Sequence, residues 1–158
     1  MGKISIFTGQ GHGKTPAAIG EALMRAALGD RVVIIQFLKG KGLNDSEILN
    51  RLEPELKIFR FEKSDGNFEE LPKDRQEDEI INIKNGLNFA RKVLTTGGCD
   101  LLVLDEILGL VDNGILSVEE LMDMLKLRNE GMDIIMTGIN LDEEICKISD
   151  SVSKISSY

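Results

Sequence analysis

Short apolar runs alternate with longer amphipathic stretches along the whole chain. The apolar runs are rich in β-branched residues and nearly unbroken, which is typical of strands buried on both faces of a parallel sheet. Four runs are predicted to be strands of this kind, at 4–7, 31–38, 101–104 and 134–137. A shorter candidate strand lies at 56–61, and a candidate edge strand lies at 151–156.

The amphipathic stretches between these runs have the apolar spacing of helices. Residues 15–28 are rich in alanine and place apolar side chains on one helical face, and residues 74–94 do the same over a longer stretch. Ser117 and Glu120 match a capping box, which predicts a helix from this point to Leu127.

Two further segments complete the pattern. Asn140 and Glu143 are predicted to play the same two capping roles for a last helix at 141–148. Residues 63–75 are polar and contain glycine and proline, so they are predicted to form a surface loop.

Alternating strands and helices favour an α/β fold, because successive right-handed crossovers place helices on both faces of a parallel sheet. We therefore predict a doubly wound, mainly parallel sheet flanked by helices. The chain has 158 residues and shows no internal repeat or linker, which predicts a single domain over 1–158.

Composition and charge narrow the classes of function. Apolar residues make up 42% of the chain and charged residues 29%, as in ordinary globular proteins. No apolar run approaches the roughly 18 residues of a membrane-spanning helix. The net charge of −8 argues against non-specific binding to nucleic acid, which depends on neutralising phosphates. We expect no signal peptide and a cytoplasmic protein with two free thiols, which binds neither nucleic acid nor membranes.

A glycine-rich loop follows the first predicted strand and opens into the first predicted helix. Residues 8–15 read T-G-Q-G-H-G-K-T. Glycines let successive backbone N–H groups point at one anion, and the N-terminus of the helix adds a partial positive charge. Lys14 is expected to reach phosphates and Thr15 to offer its hydroxyl to Mg²⁺. The loop therefore predicts a phosphate site in a P-loop NTPase-like domain.

The loop is one residue shorter than the usual phosphate-binding pattern. That pattern, G-x-x-x-x-G-K-[ST], requires glycine six residues before the lysine, where this chain has Thr8. The first glycine here is Gly9. A shorter loop surrounds a polyphosphate differently, which favours a reaction other than routine hydrolysis of a terminal phosphate.

Two acids follow the strand at 101–104. Asp105 and Glu106 after a buried strand resemble a Walker B motif, in which the Asp holds the cation that Thr15 also contacts. The alternative is a pair of exposed acids after an ordinary strand. The glycine loop favours the metal site, because ligands of parallel sheets bind beyond the carboxyl ends of the strands. Thr8, Asp105 and Thr137 are all predicted to lie at such ends.

Other residues are predicted at the same edge. Gln36 and Lys39 follow the second strand, and Thr137 and Gly138 follow the fifth. His12 is the only histidine of the chain and lies within the glycine loop. A donor to phosphate fits His12 better than a metal ligand or a proton shuttle, because no second metal-binding side chain is near it in sequence.

These blocks together resemble the ATP:corrinoid adenosyltransferases of the CobA/BtuR/CobO type. The family's loop is similar to T-G-x-G-K-G-K-T-T, with the same short spacing. Its second strand ends like residues 36–40, and its Walker B strand looks like residues 100–106. A helix then leads to a turn matched by 113–116, and the fifth strand ends in Thr-Gly, as at 137–138. The resemblance extends from about Lys3 to Ser153.

The resemblance implies transfer of the 5′-deoxyadenosyl group of ATP to the Co(I) of a reduced corrinoid, with release of the whole triphosphate. It implies Mg²⁺ or Mn²⁺ as the cofactor, and Thr15, Asp105 and Glu106 as its ligands. Lys14, Thr15 and Glu106 are the implied catalytic residues. No protein base is needed, because Co(I) is itself the nucleophile, so Glu106 would bind the metal or the ribose.

The resemblance also implies which residues contact the substrates. They are Thr8, Gly9, Gln10, Gly11, His12, Gly13, Lys14, Thr15, Pro16, Gln36, Lys39, Phe68, Thr137 and Gly138. Phe68 falls where the family has an aromatic side chain that holds the corrinoid. A flavoprotein reductant and a second copy of the chain are the further partners that the resemblance suggests.

The chain departs from the family pattern at several positions. Pro16 replaces a second threonine, His12 replaces a lysine, and Ile139 replaces an arginine. The chain has no tryptophan, so the family's second corrinoid-facing aromatic is missing near Glu70. We also expect no counterpart of the family's terminal lid segments. Two alternatives therefore stay open beside the adenosyltransferase: a non-catalytic relative that binds ATP or a corrinoid, and a P-loop ATPase or phosphotransferase.

Overall fold

One parallel sheet organises the protein. The computed structural model describes residues 2–158, and six parallel strands lie side by side in the order β3-β2-β4-β5-β1-β6. From β1 to β6 the strands are Ile4–Thr8, Val32–Gln36, Leu56–Arg60, Leu101–Asp105, Asp133–Gly138 and Ser151–Lys154. The predicted α/β fold is confirmed, including the edge strand near the end of the sequence.

Helices cover both faces of this sheet. From α1 to α6 they are Lys14–Ala27, Glu47–Asn50, Lys73–Thr96, Ile107–Asp112, Val118–Lys126 and Glu143–Ile148. The predicted helices at 15–28 and 74–94 are confirmed, and so is the capping box, in which Ser117 and Glu120 make both expected hydrogen bonds. The four residues of α2 were not predicted. None of the helices within residues 2–158 is long and apolar enough to cross a membrane.

The beginning of α6 differs from the prediction. The capping residue is Asp142, whose side chain accepts a hydrogen bond of 2.8 Å from the backbone N–H of Glu144. Asn140 instead donates its side-chain amide to Asp112 at 3.0 Å. The predicted cap at Asn140 is therefore wrong, because the helix begins two residues later and an acid next to its first turn takes the capping role.

The segment 63–75 is mostly exposed, as the predicted surface loop requires, but two of its side chains are buried. It contains a 3₁₀ turn at Phe68–Glu70, and Ser64 and Phe68 are 7% and 5% exposed. The backbone N–H groups of Lys63 and Ser64 donate to the carboxylate of Glu79 on α3. Side chains distant in sequence thus hold part of this segment inside the protein.

The packing of β4 explains the unbroken apolar runs. Leu102 and Leu104 join the core cluster that also includes residues of α3, α4, α5 and α6. Leu101 and Val103 join the cluster on the other face, with residues of α1. Successive side chains of a strand point to opposite faces, so a strand covered on both faces is apolar at every position.

Strand register brings the carboxyl ends of the central strands to one edge. Gln36 pairs with Asp105, and Thr8 pairs with Gly138. The pairing of β4 with β5 reaches Leu104 opposite Met136, which places Thr137 beside Asp105. Helix α1 begins at this same edge, directly after the glycine loop.

Candidate functional site

The glycine loop connects β1 to α1 in a backbone conformation that needs glycine. Gly9 and Gly13 have φ angles of 120° and 123°, a region that residues with side chains rarely adopt. A Cβ at Gly9 would also collide with the backbone carbonyl oxygen of Ile155. The loop therefore has the tight backbone path that the sequence predicted, and it ends at Lys14, the first residue of α1.

Asp105 is the centre of the hydrogen-bond network at the sheet edge. It is fully buried, and Thr15 donates its hydroxyl to both carboxylate oxygens, at 2.9 and 3.2 Å. Thr137 donates to Oδ1 at 2.8 Å, and the side-chain amide of Gln36 donates to Oδ2 at 3.2 Å. The ammonium of Lys39 lies 3.8 Å from Oδ2. These donors compensate the desolvation of a buried carboxylate.

Thr137 also links Asp105 to Glu106. Its hydroxyl oxygen accepts a hydrogen bond of 2.7 Å from the backbone N–H of Glu106, which has a left-handed φ of 64°. The Glu106 side chain is half-buried. This burial raises the pKa of Glu106, whereas the nearby ammonium groups of Lys39 and Lys14 act in the opposite direction.

A cavity of about 240 Å³ lies between the loop and the acids. Its lining consists of loop residues 11–16 together with Lys39 and Glu106. Two ammonium groups, those of Lys14 and Lys39, face this space, and Lys14 Nζ lies 3.5 Å from the carbonyl oxygen of Gly11. Two cations beside a helix N-terminus suit a polyanion such as a chain of phosphates.

The oxygens beside this cavity fit the implied metal. Thr15, Asp105 and Glu106 offer hydroxyl and carboxylate oxygens, the donors that Mg²⁺ and Mn²⁺ prefer. Lys39 Nζ lies 2.9 Å from the hydroxyl oxygen of Thr15 and 3.8 Å from Asp105 Oδ2, so a positive charge stands beside both side chains. Across residues 2–158 no group of three or more His, Cys, Asp or Glu side chains is gathered as a metal site.

A second cavity, of about 560 Å³, lies on the other side of the loop. Its lining residues are Gly9, Gln10, Gly11, His12, Ile139, Asn140, Lys154, Ser156 and Ser157. Ser157 accepts a hydrogen bond of 2.8 Å from the backbone N–H of His12, and Ile155 donates its N–H to the carbonyl of Thr8. We did not predict that residues 154–157 lie against the loop. The parallel pairing of β6 with β1 is the feature that brings them there.

Five of the predicted contact residues line neither cavity. Gln36 and Thr137 are buried and donate to Asp105 instead. Thr8 donates its hydroxyl to the carbonyl oxygen of Ile139 at 2.9 Å, which ties the ends of β1 and β5 together. A Cβ at Gly138 would collide with Leu108, so this glycine permits the close approach of α4. Phe68 packs in the core at 5% exposure and lines neither cavity. Its contact with a corrinoid stays a prediction.

The chain also matches known proteins over nearly its whole length. The family model described as ATP:corrinoid adenosyltransferase BtuR/CobO/CobP matches residues 1–158. The chain is 29% identical to the corrinoid adenosyltransferase of Escherichia coli over 154 residues, which are 98% of this chain and 76% of that protein. The same identity and coverage hold for the corrinoid adenosyltransferase CobA of Salmonella typhimurium. A corrinoid adenosyltransferase of Pseudomonas aeruginosa is 24% identical over 155 residues, with 98% of this chain and 75% of that protein covered.

These matches confirm the resemblance that the loop, the Walker B strand and the strand ends indicated. They extend it from separate blocks to the complete sheet and its helices. The chain belongs to the ATP:corrinoid adenosyltransferase BtuR/CobO/CobP family.

Proposed function

We propose that this protein transfers the 5′-deoxyadenosyl group of ATP to the Co(I) of a reduced corrinoid and releases triphosphate. One observation carries the proposal: a shortened glycine loop ending in Lys14 stands beside the buried contact of Thr15 with Asp105, in a chain of this family. In this reaction the electron pair of Co(I) forms the bond to the ribose 5′-carbon. The pair of the breaking carbon–oxygen bond leaves with the triphosphate.

The residues beside the smaller cavity would stabilise the departing triphosphate. Negative charge grows on the leaving oxygen, and the ammonium of Lys14 at the start of α1, which lines this cavity, would stabilise that charge. Lys39 adds a second cation from the end of β2. Mg²⁺ or Mn²⁺, when bound at Thr15, Asp105 and Glu106, would supply further positive charge to the phosphates.

The proposed reaction requires no proton transfer by the protein. Co(I) attacks carbon directly, and the triphosphate leaves as an anion. Glu106 therefore serves as an oxygen ligand rather than a base that activates water. Glu106 is half-buried beside two lysines, and burial raises its pKa. A metal cation bound next to Glu106 would stabilise its carboxylate in the charged form.

The test is adenosylation with purified protein, ATP, Mg²⁺ and chemically reduced cobalamin. We expect a light-sensitive product with a cobalt–carbon bond and one intact triphosphate per product. Lys14→Ala should lower the rate about a hundredfold or more, because it removes a cation from the developing charge. Lys41→Ala is the matched control, since Lys41 is exposed and does not line the cavity. Wild-type protein that forms no cobalt–carbon product would contradict the proposal.

Pro16 and Ile139 favour one second candidate, a relative that binds ATP or a corrinoid without turnover. Pro16 lines the smaller cavity without an N–H, and Ile139 puts an apolar side chain at the larger one. Binding of MgATP by calorimetry without product would support this candidate. Release of ADP would instead support a P-loop ATPase or phosphotransferase.

The proposed reaction also implies an electron donor. Cobalt reaches the Co(I) state only by reduction, so we propose a flavoprotein reductant as a partner in the cell. We also propose a homodimer, because membership of this family suggests a second copy of the chain. Replacing the chemical reductant by a reduced flavoprotein in the adenosylation assay tests the first partner. Sedimentation at equilibrium tests the second.

A further inference from the structure

Lys39 reaches the site from an unusual turn directly after β2. The residue before it, Leu38, has a φ of 59°, in the left-handed region that non-glycine residues seldom adopt. Leu38 is 8% exposed, so this conformation lies within the protein. Conformations of this kind persist only where surrounding contacts determine them.

Two side chains near the end of β3 hold this turn from both sides. The carboxylate of Glu62 accepts a hydrogen bond of 2.6 Å from the backbone N–H of Leu38. The guanidinium of Arg60 donates to the carbonyl oxygen of Lys39 at 3.0 and 3.2 Å, and to that of Gly40 at 2.9 Å. The backbone on either side of the Lys39 side chain is therefore anchored to the neighbouring strand.

Glu62 occupies an electrostatically costly position. It is 6% exposed, and burial raises the pKa of Glu62 to about 7. The charged groups facing it are the carboxylates of Glu79 on α3 and Glu69 in the 3₁₀ turn, which repel it, and Arg60, which attracts it. A buried acid is tolerated where it makes a compensating hydrogen bond, and Glu62 accepts such a bond from Leu38.

We propose that Glu62 is a positioning residue that acts on the site through Lys39. By holding Leu38 in the left-handed conformation, Glu62 keeps the Lys39 ammonium 2.9 Å from the Thr15 hydroxyl and beside Asp105. The inference rests on the proposed function, because it takes the triphosphate of ATP as the anion that Lys39 meets. Neither the strand pattern nor the glycine loop pointed to Glu62.

The experiment is a double-mutant cycle measured by calorimetric titration with MgATP. Glu62→Met removes the acceptor while keeping the side-chain length, and Glu62→Gln keeps the acceptor and removes only the charge. We expect Glu62→Met to weaken MgATP binding about tenfold and Glu62→Gln to change it less than about twofold. Lys39→Ala should weaken binding about tenfold as well, and adding Glu62→Met to it should change little, because residues acting as a unit are not additive.

A second measurement keeps the test independent of the ligand. Hydrogen exchange of the Leu38 amide should be faster in Glu62→Met than in Glu62→Gln. Equal exchange of the Leu38 amide in the two variants would overturn the inference. So would a tenfold loss of MgATP affinity on Glu62→Met that is the same in the wild type and in Lys39→Ala. A wild type that binds MgATP but forms no cobalt–carbon product would overturn the proposed function and leave this inference standing. A wild type that binds no MgATP would overturn both.

Discussion

Asp105 is completely buried, and three side chains from three different elements donate hydrogen bonds to it. Thr15 comes from α1, Gln36 from β2 and Thr137 from β5. Each donor is fixed by its own element, so the carboxylate has one defined orientation before any ligand arrives. Preorganisation of this kind would lower the entropic cost of binding the cation and the triphosphate that we propose for this site.

Pro16 is the residue whose replacement should report most directly on the phosphate contacts. It is exposed and lines the smaller cavity, where a threonine would add a backbone N–H and a hydroxyl. A charge-assisted hydrogen bond is worth about 1.5–3 kcal/mol. We expect Pro16→Thr to tighten the binding of triphosphate by about tenfold or more, measured by calorimetry. An unchanged or weaker affinity would mean that the first turn of α1 does not face the phosphates.

Glu62 should also give a pH dependence of stability. Its pKa rises from 4.5 to about 7 on folding, so the folded state binds this proton more tightly and stability is lost as pH rises between these values. Glu62→Gln cannot ionise. Its free energy of unfolding relative to wild type should therefore increase by on the order of 3 kcal/mol as pH rises from below 4.5 to above 7, and then level off. Urea unfolding of both proteins across this range measures the difference, and a difference independent of pH would contradict the prediction.

At the scale of elements, the glycine loop depends on the segment that follows β6. Ile155 donates its backbone N–H to the carbonyl oxygen of Thr8, and the Ser157 hydroxyl oxygen accepts a hydrogen bond from the backbone N–H of His12. A Cβ on Gly11 would lie 2.7 Å from the backbone nitrogen of Ser157. The loop thus has glycine at positions where the neighbouring backbone leaves no space, as well as where φ is positive.

Two glycine-to-alanine substitutions separate the effect of this close packing from the general effect of alanine on the flexibility of the unfolded chain. Gly9→Ala should lower the free energy of unfolding by about 2 kcal/mol or more and weaken MgATP binding, because φ is 120° and the Cβ meets Ile155. Gly20 lies within α1 and a Cβ there meets nothing within 4 Å. Gly20→Ala should therefore stabilise the protein by about 0.5–1 kcal/mol. Urea unfolding measures the stability of both variants, and calorimetry measures their binding of MgATP. Similar changes in the two variants would contradict the requirement for glycine at position 9.

At the scale of the whole molecule, the sheet order explains where the site lies. Strand β4 is central, between β2 and β5, and its register places Gln36 and Thr137 on the two sides of Asp105. Strand β6 lies at one edge, and all four of its residues are exposed. The network around Asp105 therefore lies on buried central strands. The larger cavity, in contrast, is lined in part by Lys154 of the exposed strand β6.

This difference predicts uneven protection of backbone amides. Amides of β6 should exchange with solvent at least about tenfold faster than those of β4, because local opening of an exposed edge strand costs less than opening the core. MgATP should slow exchange at His12 and Ile155 if the loop and this segment close on the ligand together. Hydrogen exchange followed by NMR measures both, and equal protection of β4 and β6 would contradict the expectation.

The elements that could be predicted from the sequence are those with a local signal. The six strands, the helices at 15–28 and 74–94 and the Ser117 cap all follow from periodicity and capping residues. The Asn140 cap was wrong because two capping residues compete within three positions, and only the observed helix start decides between them. The burial of Phe68 in the 3₁₀ turn was missed because it comes from packing in a core cluster with residues distant in sequence.

The order of apolar runs and the spacing of glycines determined a parallel α/β sheet with an anion-binding loop at one edge. These properties follow from side-chain periodicity and from the φ angles open to glycine, both of which are local. Only the tertiary structure decided that Lys39 lies at the Thr15 hydroxyl, that Glu62 holds Leu38 and that Ser157 contacts the loop. Those contacts join residues 24 to 145 positions apart, and strand register and helix packing, rather than any local preference, bring them together.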